Sequence, residues 1–213
     1  MSLTSDQLRA TTGIRPTSWA KWVVAGAIVA GGLYTIGTYN GLVSSDQQVQ
    51  SQWAQVQNVY QRRMDLVPNL VETVKGAANF EKSTYLAVAE ARSKAGQALQ
   101  GVNASPTDSQ KLSQIQQTQD GLSSALSRLM VVVERYPDLK ATENFRDLQA
   151  QLEGTENRIA VERMRFNETA QEFNAKRSSF PTNLVANLFG SRFQLKAYFQ
   201  ASPAAQTPPQ VKF

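Results

Sequence analysis

The sequence predicts an all-α protein: an N-terminal transmembrane helix that continues into an elongated antiparallel four-helix bundle. Three observations lead there. An uncharged, mostly apolar or small run of 18 residues, Trp22 to Tyr39, follows Lys21. An apolar stripe then steps by three and four from Leu42 to Ala77, and two later segments repeat that step, which is the period of helices and not of strands. Strand-like alternation is found nowhere along the chain.

Composition narrows the function before any motif is read. The 213 residues contain no histidine and no cysteine. Disulfides, Cys/His zinc sites, Ser-His-Asp and Cys-His nucleophiles and histidine acid-base chemistry are thereby closed. The net charge of +5 comes from 22 basic and 17 acidic residues that are interspersed. That pattern leaves no clustered footprint for nucleic acid and favours a membrane surface as the electrostatic partner.

Residues 1–18 are polar, aperiodic and basic, and read as a flexible leader. Residues 19–39 are long enough to span a bilayer. A signal peptide is the competing reading; a retained anchor is preferred because the apolar run is long, shows no clear cleavage site and leads into a helical pattern. Trp19 and Trp22 at one end and Tyr34 and Tyr39 toward the other suit the two membrane interfaces. Arg9, Arg15 and Lys21 precede the span and no Lys or Arg follows until Arg62. By the positive-inside rule the amino terminus is cytoplasmic and residues 40–199 form an extracytoplasmic helical domain. Gly26 with Ala30 and Ala27 with Gly31 repeat small residues at steps of four, the spacing that lets membrane helices approach closely.

The stripe after the span is Leu42, Asp46, Val49, Trp53, Val56, Tyr60, Arg63, Val67, Leu70, Val74 and Ala77. As continuous helix it would be roughly 55 Å long at about 1.5 Å per residue. Pro68 predicts a kink, since a mid-helix proline removes one backbone hydrogen bond, but the register persists beyond it. Arg63 on a core stripe calls for a buried acid, and Glu134, one residue off the stripe of the third helix, is a candidate partner. Asp65 lies beside it in the polar string Arg62 to Asn69.

Gly76 and Asn79 mark a turn, and Phe80 to Gln100 predicts a second helix facing inward through Tyr85, Val88, Ala95 and Leu99. Gly101 to Ser105 breaks it. Thr107 with Gln110 is a capping-box signature after Pro106. The third helix then carries Leu112, Ile115, Gln119, Leu122, Leu126, Leu129, Val133 and Tyr136 until Pro137 stops it. The fourth, about Thr142 to Lys176, places Phe145, Leu152, Ile159, Phe166 and Phe173 at steps of seven, a seam narrow enough for a coiled coil. Charges including Glu153, Glu156, Arg158, Glu162, Arg163 and Arg165 flank it as a solvated face laced with ion pairs or as a partner surface.

The last patterned segment, Phe180 to Phe199, is dense in aromatics, broken at Gly190 and basic. It either caps the bundle or lies on a bilayer, with Phe189, Arg192, Phe193 and Lys196 as the membrane-surface candidates. The Pro-, Ala- and Gln-rich residues 200–213 read as a disordered tail.

Seven strings in order, YNGLV at Tyr39, RRMDLVPNLVETVKG at Arg62, EAR at Glu90, LSRLMVVVERYPDLKA at Leu126, NFRDLQAQLEGTENRIAVER at Asn144, RFNETAQEFN at Arg165 and FPTNLVANLFG at Phe180, resemble the LemA family of bacterial membrane-anchored helical proteins. The resemblance runs from about Tyr39 to Phe199. It implies one membrane helix in the bacterial inner (plasma) membrane followed by a four-helix bundle, and it brings no catalytic residues or cofactor. It also implies an amino terminus outside the cell, opposite to the flank charges, whose reading is kept here. Gly190-Ser191 departs from the family's more usual Gly-Phe.

Three functions compete. A non-enzymatic scaffold that self-associates through its helices, and so organises or remodels the membrane, is preferred because helical seams beyond internal needs are free for neighbours. An adaptor or regulator holding another membrane protein, such as a protease or transporter, is the alternative. A carboxylate-metal enzyme built on Glu153, Glu156 and Glu162 comes last, since bundle metal sites of that kind combine glutamate with histidine. The expected partners are membrane lipid and further copies of the chain.

Overall fold

The computed structural model describes residues 18–77, 80–100 and 107–200. The leader, the turn at Asn79, the break at Gly101–Ser105, Pro106 and the tail beyond Gln200 lie outside them. All regular structure among the described residues is helical: α1 (Ser18–Lys75), α2 (Lys82–Leu99), α3 (Ser109–Val133), α4 (Pro137–Lys140), α5 (Glu143–Ser178) and α6 (Thr182–Leu188). Two compact units divide at Gly41–Leu42.

The first unit holds the apolar part of α1. Trp22, Val23, Val24, Ile28, Val29, Leu33 and Ile36 point in all directions and are each 58–79% exposed. A helix that is apolar all round needs an apolar surround, since each such side chain left in water forfeits about 1.5–3 kcal/mol. Among the described residues, α1 is the helix long and apolar enough to cross a membrane.

In the second unit the stripe of α1 is the core. Leu42, Val49, Trp53, Val56, Tyr60, Val67, Leu70 and Val74 are buried, and so are the two polar members, Asp46 and Arg63. Hydrogen bonds from Lys176 to Ser45, from Arg163 to Tyr60 and from Arg63 to Glu156 run antiparallel between α1 and α5. The α2 helix returns along the later turns of α1, where Lys75 lies 5.6 Å from the Tyr85 ring and Arg92 meets Met64. It is also antiparallel to α3, to which Glu81 and Arg135 tie it at 2.6 Å. Around Val67 to Val74 the core closes with Val88 and Ala95 of α2, Leu122, Leu129 and Val133 of α3, Leu139 of α4 and Phe145 and Leu152 of α5.

Pro68 sits inside α1 on its exposed side, and the helix continues through it. A proline cannot donate to the carbonyl four residues back, which here is Met64. Arg92 Nε supplies that bond from α2, 2.7 Å from the Met64 oxygen. A polar cost of the proline is thus met by a neighbouring helix.

The helix ends refine the expectations. Asp108, one residue beyond the predicted cap Thr107, caps α3, accepting from the Gln110 and Lys111 amides at 2.8 and 3.4 Å. A carboxylate is the stronger acceptor at a helix start, where the dipole also favours negative charge. Thr142 caps α5 by accepting from the Phe145 amide. The α3 helix ends at Val133, three residues short of the expected Tyr136, and Pro137 opens the single turn of α4.

Candidate functional site

Along the α1–α3–α5 seam the stripe's polar interruptions gather neighbours. Arg63, only 1% exposed, is the hub of the first cluster. Its Nη1 donates to Glu156 Oε2 at 2.6 Å and Ser123 Oγ at 2.8 Å, while Nη2 donates to the Gln119 side-chain oxygen and, at 3.2 Å, to the Gln119 carbonyl. Ser123 Oγ in turn donates to Glu156 Oε1 at 3.0 Å. Three helices are thus fixed at one level by one guanidinium. Arg63 Nε and Gln119 Nε2 are buried without a hydrogen-bond partner among the described residues.

Glu134, the acid expected to meet Arg63, does not. It forms the C-cap of α3 and pairs with Lys140 at 2.5 Å. Arg63 lies at the level of Ser123, and eleven further residues of helix separate that level from Glu134, about 16 Å at 1.5 Å per residue. Helix register therefore hands Arg63 to Glu156, which comes from the antiparallel α5.

One turn earlier on α1, Arg163 forms the second cluster. Its Nε donates to Tyr60 Oη at 2.7 Å and both terminal nitrogens reach Asp120 Oδ1 at 3.3 Å. The guanidinium carbon lies 5.4 Å from the ring centroids of both Tyr60 and Phe199. Burial raises the Tyr60 pKa, more than the adjacent Arg163 lowers it, so the hydroxyl stays neutral. Below this, Trp53, Phe166 and Phe199 form an aromatic triplet with centroids 5.5–6.1 Å apart.

The third cluster bears on the two readings of Phe180 to Phe199, and it places the latter part of that segment on the domain. Residues 193–200 have no regular structure and run antiparallel to α5, held by side-chain amides that grip the backbone. Asn174 accepts from the Lys196 amide and donates to its carbonyl, and Asn167 does the same for Phe199, at 2.8–2.9 Å. Gln116 of α3 repeats the motif at Gln200, and Arg177 Nε donates to the Phe193 carbonyl at 2.6 Å. Phe193, Lys196 and Phe199 all point inward and are buried. While α2 covers the later turns of α1, this strap covers the earlier ones.

Two of the four membrane-surface candidates are corrected by this arrangement. Phe193 is fully buried, and Lys196 is buried against Asp46, Nζ to Oδ1 2.6 Å, and over the Phe173 ring at 4.9 Å. The Lys196–Asp46 contact is close but poorly aligned for a hydrogen bond, and Asp46 Oδ2 accepts from Gln50 at 2.7 Å. A lysine without aligned solvent contact needs a counter-charge, and the polar break in the α1 stripe provides it. Phe189 and Arg192 are exposed.

The remaining candidates lie apart from these clusters. Asp65 is exposed and accepts from Gln61 at 2.7 Å. Gly26, Ala27, Ala30 and Gly31 are exposed in the apolar part of α1, and a Cβ at either glycine would meet nothing within 4 Å. Glu153 and Glu156 line one cavity with Arg63, Glu162 does not, and the three accept separately from Gln149, Arg63 and Gln52. Among the described residues no three His, Cys, Asp or Glu side chains come together to hold a metal. Chemically, the seam sets cations against acids, amides and rings; its polar groups fix register.

An apolar helix followed by an all-helical domain with such an internal polar seam defines the class: a helical protein with one candidate membrane helix. The chain belongs to the LemA family, whose family model matches residues 52–213. It is 28% identical over 185 residues to the magnetosome protein MamQ 2 of Paramagnetospirillum magneticum, a match covering 80% of this chain and 67% of that protein. A similar relation, 27% over 191 residues covering 81% and 70%, links it to the magnetosome protein MamQ of Magnetospirillum gryphiswaldense. To the protein LemA of Metamycoplasma hominis it is 28% identical over 152 residues, covering 71% of this chain and 64% of the other.

Proposed function

We propose that this protein is a non-enzymatic, membrane-anchored scaffold: a four-helix bundle tethered by one membrane helix in the bacterial inner membrane, self-associating and thereby organising or remodelling the bilayer. The observation that carries the reading is the destination of the core's polar groups. Arg63, Arg163, Asp46 and Lys196 all pair internally, where they hold helices in register. The uncovered apolar helix with its small-residue steps supports anchoring and contact between copies. Likeness to magnetosome proteins, named for a cellular body and not for a reaction, supports the same role.

Flank charges favour the extracytoplasmic side for the domain. Light scattering of the full chain in detergent across concentrations tests the proposal. The mass per particle should rise well above that of the 23.5 kDa chain. A strict monomer at every concentration contradicts it. The adaptor alternative draws support from the exposed charges of α5, Glu153, Arg158 and Arg165. Crosslinking in native membranes separates the two: self-links favour the scaffold, a heterologous membrane protein the adaptor.

A further inference from the structure

Inward, α6 buries Val185 and Ala186 against the domain. Outward it does something else. Leu184 and Leu188, one turn apart on α6, are 61% and 75% exposed, and Phe180, two residues before the helix, is 80% exposed. Next to them Phe189 and Arg192 are also exposed. From Phe173 to Gln200 the sequence has no Asp or Glu and four Lys or Arg. Lys196 is neutralised inside the domain by Asp46, which leaves Lys176 and Arg192 as exposed cations, and an apolar ridge beside them is complementary to an anionic bilayer surface and not to water.

Chain position agrees. Lys176 Nζ donates to Ser45 Oγ at 2.9 Å, so the last turns of α5 lie beside the first turns of the domain's share of α1, and α6 follows directly. Only five residues lie between the end of the apolar run at Tyr39 and Ser45, a length of chain that reaches no more than about 20 Å even fully extended. The ridge therefore lies at the end of the domain at which the chain enters it from the apolar run.

We propose that Phe180, Leu184 and Leu188 insert into the anionic headgroup layer of the membrane in which α1 is anchored, giving the domain a second lipid contact. The inference rests on the anchoring half of the functional reading. It relocates the lipid contact from Phe193 and Lys196, which face inward, to the outer side of α6. A ridge held in the interface would restrain the domain against the bilayer, a property useful to a protein that shapes it.

The absence of native cysteine makes the test direct. Single variants L184C and L188C, with L86C and V131C as exposed controls on α2 and α3 and I28C in the apolar run, are labelled with an environment-sensitive fluorophore. Each full-length protein is reconstituted at about one chain per vesicle in phosphatidylcholine–phosphatidylglycerol vesicles carrying spin-labelled lipid, and circular dichroism verifies the helical content. The expected result is lipid quenching at Leu184 and Leu188 several-fold above Leu86 and Val131, weakened when phosphatidylglycerol is omitted. Quenching at Ile28 with control-level values at Leu184 and Leu188 overturns this proposal alone; loss of quenching at Ile28 as well overturns the anchoring on which it rests. Protection of Leu184 and Leu188 that appears only at high protein density, without lipid quenching, assigns the ridge to a contact between copies and also overturns it.

Discussion

Arg92 of α2 donates its Nε–H to the carbonyl of Met64 at 2.7 Å, and that carbonyl is the one Pro68 deprives of its helical partner. Two helices are joined at a backbone atom that an ordinary helix would satisfy itself. The proline thus creates the acceptor and the arginine of the neighbouring helix uses it. Replacing Arg92 by alanine should cost about 1.5–3 kcal/mol, as for a hydrogen bond involving a charged group. The same change in a Pro68→Ala background should cost clearly less, because an alanine amide restores the helical bond. A double-mutant cycle by thermal unfolding in detergent measures the coupling; additive effects would refute the link.

Arg63 and Glu156 are unequally placed, the arginine 1% and the glutamate 50% exposed at the side chain. Removing the acid strands a buried cation, whereas removing the cation releases an acid that water already reaches. Glu156→Ala should destabilise by about 1–3 kcal/mol, below the roughly 3–5 typical of a fully buried pair because solvent screens the glutamate and Ser123 and Gln119 remain as acceptors. Adding Arg63→Met should recover part of that loss. A double variant less stable than Glu156→Ala would mean the guanidinium is needed for packing, not for pairing.

The strap gives a proteolytic signature. Lys196 is buried in the folded chain while Arg192 is exposed, so trypsin should spare the bond after Lys196. Asn167→Ala with Asn174→Ala removes four bonds to the strap backbone. Allowing for rehydration, about 2 kcal/mol should be lost, a roughly thirtyfold rise in the open population. Mass spectrometry of timed digests should then find cleavage after Lys196, and unchanged protection would show that Phe193 and Phe199 suffice.

Tyr60 sets a pH dependence. Its pKa is raised in the fold by burial, so between the unfolded value of about 10 and the higher folded value the native state holds the proton more tightly. The stability this contributes is complete below about pH 10 and is lost as pH rises through the folded pKa. Tyr60→Phe lacks the titration but also the acceptor for Arg163, so it should be less stable at neutral pH. The gap between wild type and variant should narrow above about pH 10. A gap constant with pH would place the hydroxyl in contact with solvent.

Much of the helical scaffold was legible because burial leaves a periodic trace. Each stripe residue from Leu42 to Val74 is buried, and Leu112 through Val133 likewise. Even the exceptions, Asp46, Arg63 and Gln119, were marked by their place in the period. Their partners were not, because stripe membership gives a residue's face but not its height against an antiparallel neighbour, so the sequence points to Glu134 where the fold supplies Glu156. Capping of the bundle is one of the two readings the sequence offers for Phe180–Phe199, but the strap's grip left no trace: its inward residues Phe193, Lys196 and Phe199 step by three outside any helix, and Asn167, Asn174 and Gln116 bind backbone that any sequence would offer. Lys196, read as a lipid contact from its aromatic and basic surroundings, is the clearest consequence. Local composition is the same for a segment lying on a bilayer and one lying on its own domain.

The scaffold reading is tested most directly by electron cryo-microscopy of the full-length chain reconstituted into lipid vesicles. It predicts multi-copy assemblies whose repeating domains sit on the membrane through their apolar helices, with bilayer curvature altered where they gather. Isolated single domains scattered over vesicles of unchanged shape, at every protein-to-lipid ratio, would contradict it.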